Sequence, residues 1–239
     1  MNKVMLIARR ELASYFNSPV AYVVSLGFLL ITGIWFFYFE NFLGQGVASF
    51  EPYFSSFPFA LLFTVPALTM GLWTEERKQG TGEILFSLPF REQHLILGKF
   101  LGNMLLLLIV FALSTVLPLS LFSLGEFSIG RLLVRYIGLL VLASFSVALG
   151  QLISLLSKNQ ITAFLSTLLL LLLLSQLNLS AFDGPLAKLV GQLSLQYHYQ
   201  SFIRGILDTR DLFFFVLATA LCLYISVRTL VIQKCSSRV

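Results

Sequence analysis

The sequence predicts an all-α polytopic membrane protein, a bundle of six transmembrane helices, and three observations carry that prediction. The chain of 239 residues is 57% hydrophobic and only 11% charged, with a mean hydropathy of +0.88, whereas soluble domains are about a quarter charged. Six apolar stretches, with no more than one charged residue each, approach the roughly 20 residues that a helix needs to cross about 30 Å of hydrocarbon. These stretches are continuous, whereas the strands of a membrane barrel alternate apolar and polar residues over about ten positions. Residues 1–239 are expected to form one membrane domain.

The first expected element is an interfacial helix over 3–17. Met5, Ala8, Leu12, Tyr15 and Phe16 share one face, and Lys3, Arg10, Ser14 and Asn17 lie roughly opposite, as in a helix lying on a membrane. Ser18-Pro19 marks the turn into the first span, 19–39, because the residue before proline avoids helix. That run exceeds the roughly 7–15 residues of a secretion-signal core, and no small-x-small site ends it cleanly. The second span, 57–73, is the shortest, and Pro58 and Pro66 bear on its entry angle. The third, 100–124, carries Pro118, which should kink its outer end. The fourth is 132–156. The fifth, 161–179, contains seven consecutive leucines, Leu168 to Leu174. The sixth is 212–232.

Between the second and third spans lies a loop, 74–99, that is too structured to be a mere connector. Its first part, Thr74-Glu-Glu-Arg-Lys-Gln-Gly-Thr-Gly-Glu-Ile-Leu-Phe-Ser-Leu-Pro89, is a charged island between apolar runs. Gly80 suits a helix end with φ > 0, Thr81 suits the cap of a new helix, and Pro89 stops it. Between those marks Ile84, Leu85 and Leu88 gather on one side, with Glu83 and Ser87 elsewhere on the circumference. A short amphipathic helix on a membrane loop suggests docking onto a soluble partner. A solvated hairpin is the alternative.

The segment 180–211 is too long for a simple return and has helical patterning of its own. Leu186, Leu189, Val190 and Leu193 stand at i, i+3, i+4 and i+7. A second short helix would include Phe202, Ile203, Ile206 and Leu207, with Arg204 and Asp208 spaced to pair at i, i+4. Asp211 is placed to cap the last span. These helices either lie on the outer surface or form a re-entrant hairpin closing the outer mouth of a translocation path. On the second alternative Phe202, Gly205, Asp208, Arg210 and Asp211 are candidates for an outer gate.

Orientation follows from lysine and arginine near the span ends. With the N-terminus in the cytoplasm, the inner side holds Lys3, Arg9, Arg10, Arg77, Lys78, Arg91, Lys99, Lys158, Arg228, Lys234 and Arg238. The outer side holds Arg131, Arg135, Lys188, Arg204 and Arg210. The first outer loop, 40–56, has no basic residue at all. Six spans return the C-terminus to the cytoplasm, so both termini are expected inside a cytoplasmic (inner) membrane. The inner girdle largely accounts for the isoelectric point of 9.4, which leaves no support for a nucleic-acid partner.

Residues for chemistry are scarce. His94 and His198 are assigned to opposite sides and cannot share a metal. No H-E-x-x-H, G-x-S-x-G or aspartate cluster is present. The spans carry almost no ionisable group. Arg135 and Arg228 lie near span ends, where both are expected to snorkel. Neither Gly80-Thr-Gly82 nor Gly98-Lys99 belongs to a phosphate-binding G-x-x-x-x-G-K-[ST] loop. No catalytic, cofactor or metal site is expected on this chain, and any work against a gradient needs energy from another subunit. Cys222 inside the last span and Cys235 in the tail differ too much in depth for a disulfide. Ser146, Gly150 and Ser154, and likewise Gly98 and Gly102, recur every four residues and mark close helix contact, either within the chain or at a subunit interface.

Three separated motifs then agree in order. Glu75-Glu-Arg-Lys-x-Gly80-Thr-x-Glu83, with Pro89 and Gly98-Lys-Phe-Leu, resembles the cytoplasmic loop of ABC-2 type permeases. Arg10-Glu-Leu-x-x-Tyr-Phe-x-Ser-Pro-x-Ala-Tyr22 and Phe202-x-x-Gly205-x-x-Asp208-x-Arg-Asp-Leu212 resemble the gliding-motility GldF permeases and their relatives. The resemblance implies an exporter-like fold: an interfacial helix, six spans, a cytoplasmic coupling helix at about 81–88, and outer re-entrant helices matching 183–211. ATPase coupling would then fall to Glu75, Glu76, Arg77, Lys78, Gly80, Thr81, Glu83, Ile84, Leu85, Leu88 and Pro89. The implied partners are an ABC ATP-binding subunit carrying ATP and magnesium, a second copy or a similar permease, and a membrane subunit with a large extracytoplasmic domain. The expected function is that of a non-catalytic permease subunit moving a substrate that the residues do not name. The alternative is an anchor or assembly subunit of an envelope or gliding machine, without flux of its own.

Overall fold

A computed structural model describes residues 3–40, 50–80, 91–121, 128–176 and 193–236. All regular structure among them is helical. The order is α1 Lys3–Asn17, α2 Val20–Ile34 ending in a π turn Trp35–Phe39, α3 Glu51–Ser55, α4 Phe57–Thr69, α5 Gly71–Lys78, α6 Glu92–Ser114, α7 Val116–Leu121, α8 Ile129–Leu156, α9 Gln160–Gln176, α10 Leu195–Ile203 and α11 Thr209–Ser236.

Among the described residues five runs are long and apolar enough to cross a membrane: Val20–Phe39, Glu51–Lys78, Glu92–Leu121, Ile129–Leu156 and Thr209–Lys234. The leucine-rich α9 has 17 described residues, shorter than the expected fifth span, whose last positions fall outside the described residues. The second run is longer than hydropathy suggested, because α3, α4 and α5 stack nearly end to end. Pro58 sits in the first turn of α4, where its missing N–H is no loss. Residues 74–78 therefore continue a spanning helix rather than opening a loop, and Lys99 stands well inside α6 rather than in the loop before it.

The kink predicted in the third run is present, and its cause is traceable. The helix breaks at Thr115, between α6 and α7. Pro118 cannot donate to the carbonyl four residues earlier, that of Ser114. That carbonyl instead accepts the Tyr53 hydroxyl at 3.0 Å, so no buried acceptor is stranded.

Helix α8 is the hub. It packs on α4, α5, α6, α9, α10 and α11, and 67% of its most apolar window is buried, against 22% for α11. The outward faces of α2, α9 and α11 carry Val23, Leu26, Leu169, Leu173, Phe213 and Leu217, all at least half exposed. Such a belt belongs against lipid.

Small residues set the closest approaches, and both stripes are used within the chain. A Cβ on Gly98 would lie 2.6 Å from Ile7 Cβ, and one on Gly102 would lie 2.7 Å from Glu11 Cβ. These glycines let α1 lie across α6. A Cβ on Gly150 would meet the Thr69 hydroxyl at 2.3 Å, and Ser154 accepts the Trp73 N–H at 3.2 Å, so that stripe seats α4 and α5 on α8. The packed face of α1 is rotated from the one expected. Val4, Ile7, Ala8, Glu11, Leu12 and Tyr15 face the bundle, while Met5 and Phe16 are exposed. Glu11 belongs to the packed face because α6 offers it a lysine.

Candidate functional site

The two ends of the bundle carry the candidate residues, and they are built differently. At one end, α5 runs out past the apolar region and stops. Gln79 N–H bonds Glu75 O at 2.9 Å, Gly80 N–H bonds Arg77 O at 3.2 Å, and Gly80 takes φ 69. This left-handed value is costly for a side chain bearing Cβ and free for glycine. Of the candidate coupling residues, Glu75, Glu76, Arg77 and Lys78 are the last turn of helix before this stop. Thr81, Glu83, Ile84, Leu85, Leu88 and Pro89 lie outside the described residues.

Two cations tie α5 to its neighbours, Lys99 reaching in from α6 and Arg77 reaching out from α5 itself. Lys99, 3% exposed, extends from α6 and places Nζ 2.9 Å from Glu76 Oε1 and 3.4 Å from Glu11 Oε1. The same ammonium donates to the Leu72 carbonyl at 2.9 Å and lies 5.1 Å from the Trp73 ring centre. Burying an ammonium costs several kcal/mol unless its donors are met. Here an acceptor stands for each of three donors, from α1 and α5. Beside them the Tyr15 hydroxyl donates to Asn103 Oδ1 at 2.9 Å. Burial, then the Glu11 charge, pushes that phenol well above its ordinary pKa, so it remains a donor. Arg77 in turn donates to Ser157 O at 3.1 Å, to Leu155 O, and to Gln233 Oε1 at 2.8 Å. Those carbonyls end α8, where a cation offsets the helix dipole. Lys78 and Glu75 are exposed, and Gln79 bonds Glu75 at 3.3 Å.

Sequence reasoning singled out the α5 residues and missed their partners. Lys99 and Lys234 count there only as members of the basic girdle and Glu11 only as part of a family motif, while Asn103 and Gln233 have no role at all. One signal was available. Gly98-Lys99 and Gly102-Asn103 repeat a small-polar pair four residues apart, which marks a helix face where another backbone comes close and polar groups must be satisfied.

The other end is aromatic. Tyr53, Phe54 and Phe57 are buried with ring centres 4.9–5.5 Å apart, and Tyr136 meets Phe54 edge-on at 5.1 Å. Helix α10 docks here through Leu195, Tyr199 and Phe202, all buried. Phe202 fits only because α8 has a glycine opposite: a Cβ on Gly138 would lie 2.3 Å from Phe202 Cβ. Helix α10 stops at Ile203, with Gly205 at φ 78 against the stem of Arg131, so Ile206 and Leu207 lie outside it and exposed. Arg135 does not snorkel. It is 7% exposed, donates to the Ile203 carbonyl at 2.8 Å and lies over Phe54, thereby finishing the C-terminus of α10.

Neither aspartate takes the role expected of it. Asp208 caps α11, its Oδ1 accepting the Arg210 N–H at 2.9 Å and its carbonyl accepting the Leu212 N–H. It makes no ion pair with Arg204. Asp211 is buried one turn on, with Oδ1 2.7 Å from His198 Nδ1, and that imidazole stacks on Phe214 at 4.0 Å. Of the gate candidates, Phe202, Gly205, Asp208 and Asp211 thus build one turn between α10 and α11, while Arg210 is exposed beside it. A cleft of about 650 Å³ opens next to this turn, lined by Trp35, Glu40, Glu51, Tyr199, Gln200 and Arg204 among others.

Fold and site together define a multi-pass helical membrane protein with a braced, charged helix exit at one end. Residues 39–227 match the family described as ABC-2 family transporter protein, and the chain belongs to that family. No match among curated proteins accompanies it.

Proposed function

We propose that this chain is the permease subunit of an ABC-2 type transporter, driven by ATP that a separate ABC ATP-binding subunit hydrolyses with magnesium. The observation that carries the reading is the exit of α5. In a chain of this family, a spanning helix continues past the apolar region with Glu75, Glu76, Arg77 and Lys78 and stops at Gly80, directly before the amphipathic stretch of 81–88. That stretch is the coupling helix in this reading, and the charged end of the bundle is the cytoplasmic one. Both termini then lie in the cytoplasm, α9 is the fifth of six spans, and the membrane is the cytoplasmic one. The motifs at Arg10 and Phe202 favour the GldF-like branch. A translocation path completed by a second copy or a similar permease is part of the proposal, with the turn at Phe202–Asp211 near its outer mouth. ATP binding moves the coupling helix, and the bundle responds only as far as its two states differ in interaction energy.

The test uses the full chain purified with the ATP-binding subunit that accompanies it. Gly80→Val strains the left-handed turn, and Glu83→Lys reverses a charge at the proposed helix N-terminus, normally worth about 0.3–1 kcal/mol. Both variants should reach wild-type membrane abundance while losing most ATP turnover or the co-purifying subunit itself. Retention of full binding and turnover by both would overturn the coupling role. Reporter fusions after Gln79, Asn159 and Lys234 should read as cytoplasmic, and those near Gly46 and Gln192 as external.

A further inference from the structure

The loop between α5 and α6 has two roots, and the structure ties both to one turn of the last helix. Arg77, three residues before Gly80, donates to Gln233 Oε1 at 2.8 Å. Glu92, the first residue of α6, accepts Lys234 Nζ at 2.7 Å. Gln233 and Lys234 are neighbours near the end of α11, about 150 residues further along the chain. We propose that this terminal turn is a positioning brace, in which Gln233 and Lys234 hold the departing and returning strands of the loop at a set separation.

The brace is itself anchored. Gln233 Nε2 donates to the Leu155 carbonyl at 3.3 Å, the carbonyl that Arg77 also engages. It lies in the last turn of α8, where helix carbonyls have no partner of their own. One turn earlier, Leu230 is fully buried and packs with Leu72, Trp73, Leu95, Ile96 and Leu155. Apolar contact thus fixes where α11 ends, and the two polar links set what that end holds. Deeper in the bundle α5 and α6 already meet through Lys99, which binds Glu76 and the Leu72 carbonyl, so the links to α11 add a tie at the loop's own edge. A displacement at either root therefore also reaches the same turn of α11. The links contribute little to folding, because partly exposed ion pairs are weak, so their removal separates positioning from stability. Gln233 and Lys234 touch no reacting group and act through Arg77 and Glu92.

The consequence for activity rests on the coupling reading above, so the experiment measures the loop roots and ATP turnover separately. Full-length protein with its ATP-binding subunit is compared as wild type, as the double variant Gln233→Ala/Lys234→Ala, and as the charge swap Glu92→Lys/Lys234→Glu. Amide exchange is followed in 74–80, in 91–97, and in the middle of α8 as a control. The double variant should exchange about two- to fivefold faster at both roots, as expected from losing links of this strength, with α8 unchanged. The swap should restore 91–97 to the wild-type rate. ATP turnover should fall in kcat with little change in KM for ATP, and recover in the swap. Unchanged exchange at the roots, or faster exchange at one root only, would overturn the brace whether or not the loop couples. Faster exchange at both roots with full ATP turnover would leave the brace standing and overturn the coupling reading. If the double variant also loosens α8, the swap decides: wild-type exchange at 91–97 supports the brace, and fast exchange there refutes it.

Discussion

The two ends of this bundle solve the same problem, holding helix termini in place, by opposite means. At the charged end polar links that are long in sequence lie over a small apolar cluster around Leu230: Lys99 to Glu11 and Glu76, Arg77 to α8 and α11, Lys234 to Glu92. At the aromatic end the contacts are many and apolar, with Tyr53, Phe54, Phe57, Tyr136, Tyr199 and Phe202 interlocked around one buried arginine. The difference teaches where each end can yield. A close-packed aromatic cluster loses contact gradually and in all directions, whereas a polar link holds at one distance and angle. An end that must shift between defined positions is better served by links that break and reform singly. The charged end is the one that leads into the loop proposed to meet the ATP-binding subunit.

Five substitutions sharpen or break this comparison, from the largest expected effect to the smallest. Lys99→Ala leaves two carboxylates facing each other without their cation, and breaking a buried pair from one side costs about 3–5 kcal/mol. Unfolding in detergent should show that loss, and the neutral triple variant Lys99→Met/Glu11→Gln/Glu76→Gln should recover most of it. A loss of less than about 1 kcal/mol for Lys99→Ala would mean that the triad is not a true anchor. Next, Gly138→Val drives Phe202 out of its seat, and overpacking of this kind costs about 1–3 kcal/mol. Its signature should be confined to the aromatic end: faster exchange in α10, with that at 74–80 unchanged. Equal loosening at both ends would collapse the distinction between them.

Asp208→Ala removes the cap of α11 and should cost about 1 kcal/mol, with fraying limited to the first turn. Asp211→Asn, by contrast, keeps the cap and disturbs only the contact with His198, so the two variants should differ in exchange at residues 209–212. If the Asp211 variant frays that turn and the Asp208 variant does not, the assignment of the cap is reversed. The smallest effect is expected for Tyr53→Phe. It strands the Ser114 carbonyl that Pro118 cannot serve, at a cost of about 0.5–1.5 kcal/mol. In Tyr53→Phe combined with Pro118→Ala, the restored N–H should reclaim that carbonyl and recover most of the loss.

Much of this architecture follows from local properties that the sequence states directly. A continuous apolar run long enough for the bilayer has to be a helix, because no other open structure satisfies its backbone there. Gly80 and Pro118 announce a turn and a kink through their own dihedral and donor constraints, and both features stand where those residues are. The island of Glu75–Lys78 was visible because charge is rare in this chain. Its extent was not, since nothing in hydropathy distinguishes a loop from a helix that simply continues into water.

What tertiary structure alone decided is which residues meet. Helices that are apolar all round carry no mark of the face they present, so the rotation of α6 that buries Lys99 and of α8 that buries Arg135 is set by neighbouring helices. Lys99 finds Glu11 across 88 positions, and Asp208 rather than Asp211 caps α11 because α10 stops at Ile203 and brings His198 over Asp211. Sequence by itself determined the class, the approximate spans and the stop signals, because each depends on one residue or one local run. The pairings of buried charges depend on the order and rotation of whole helices, and only the packed bundle supplies those.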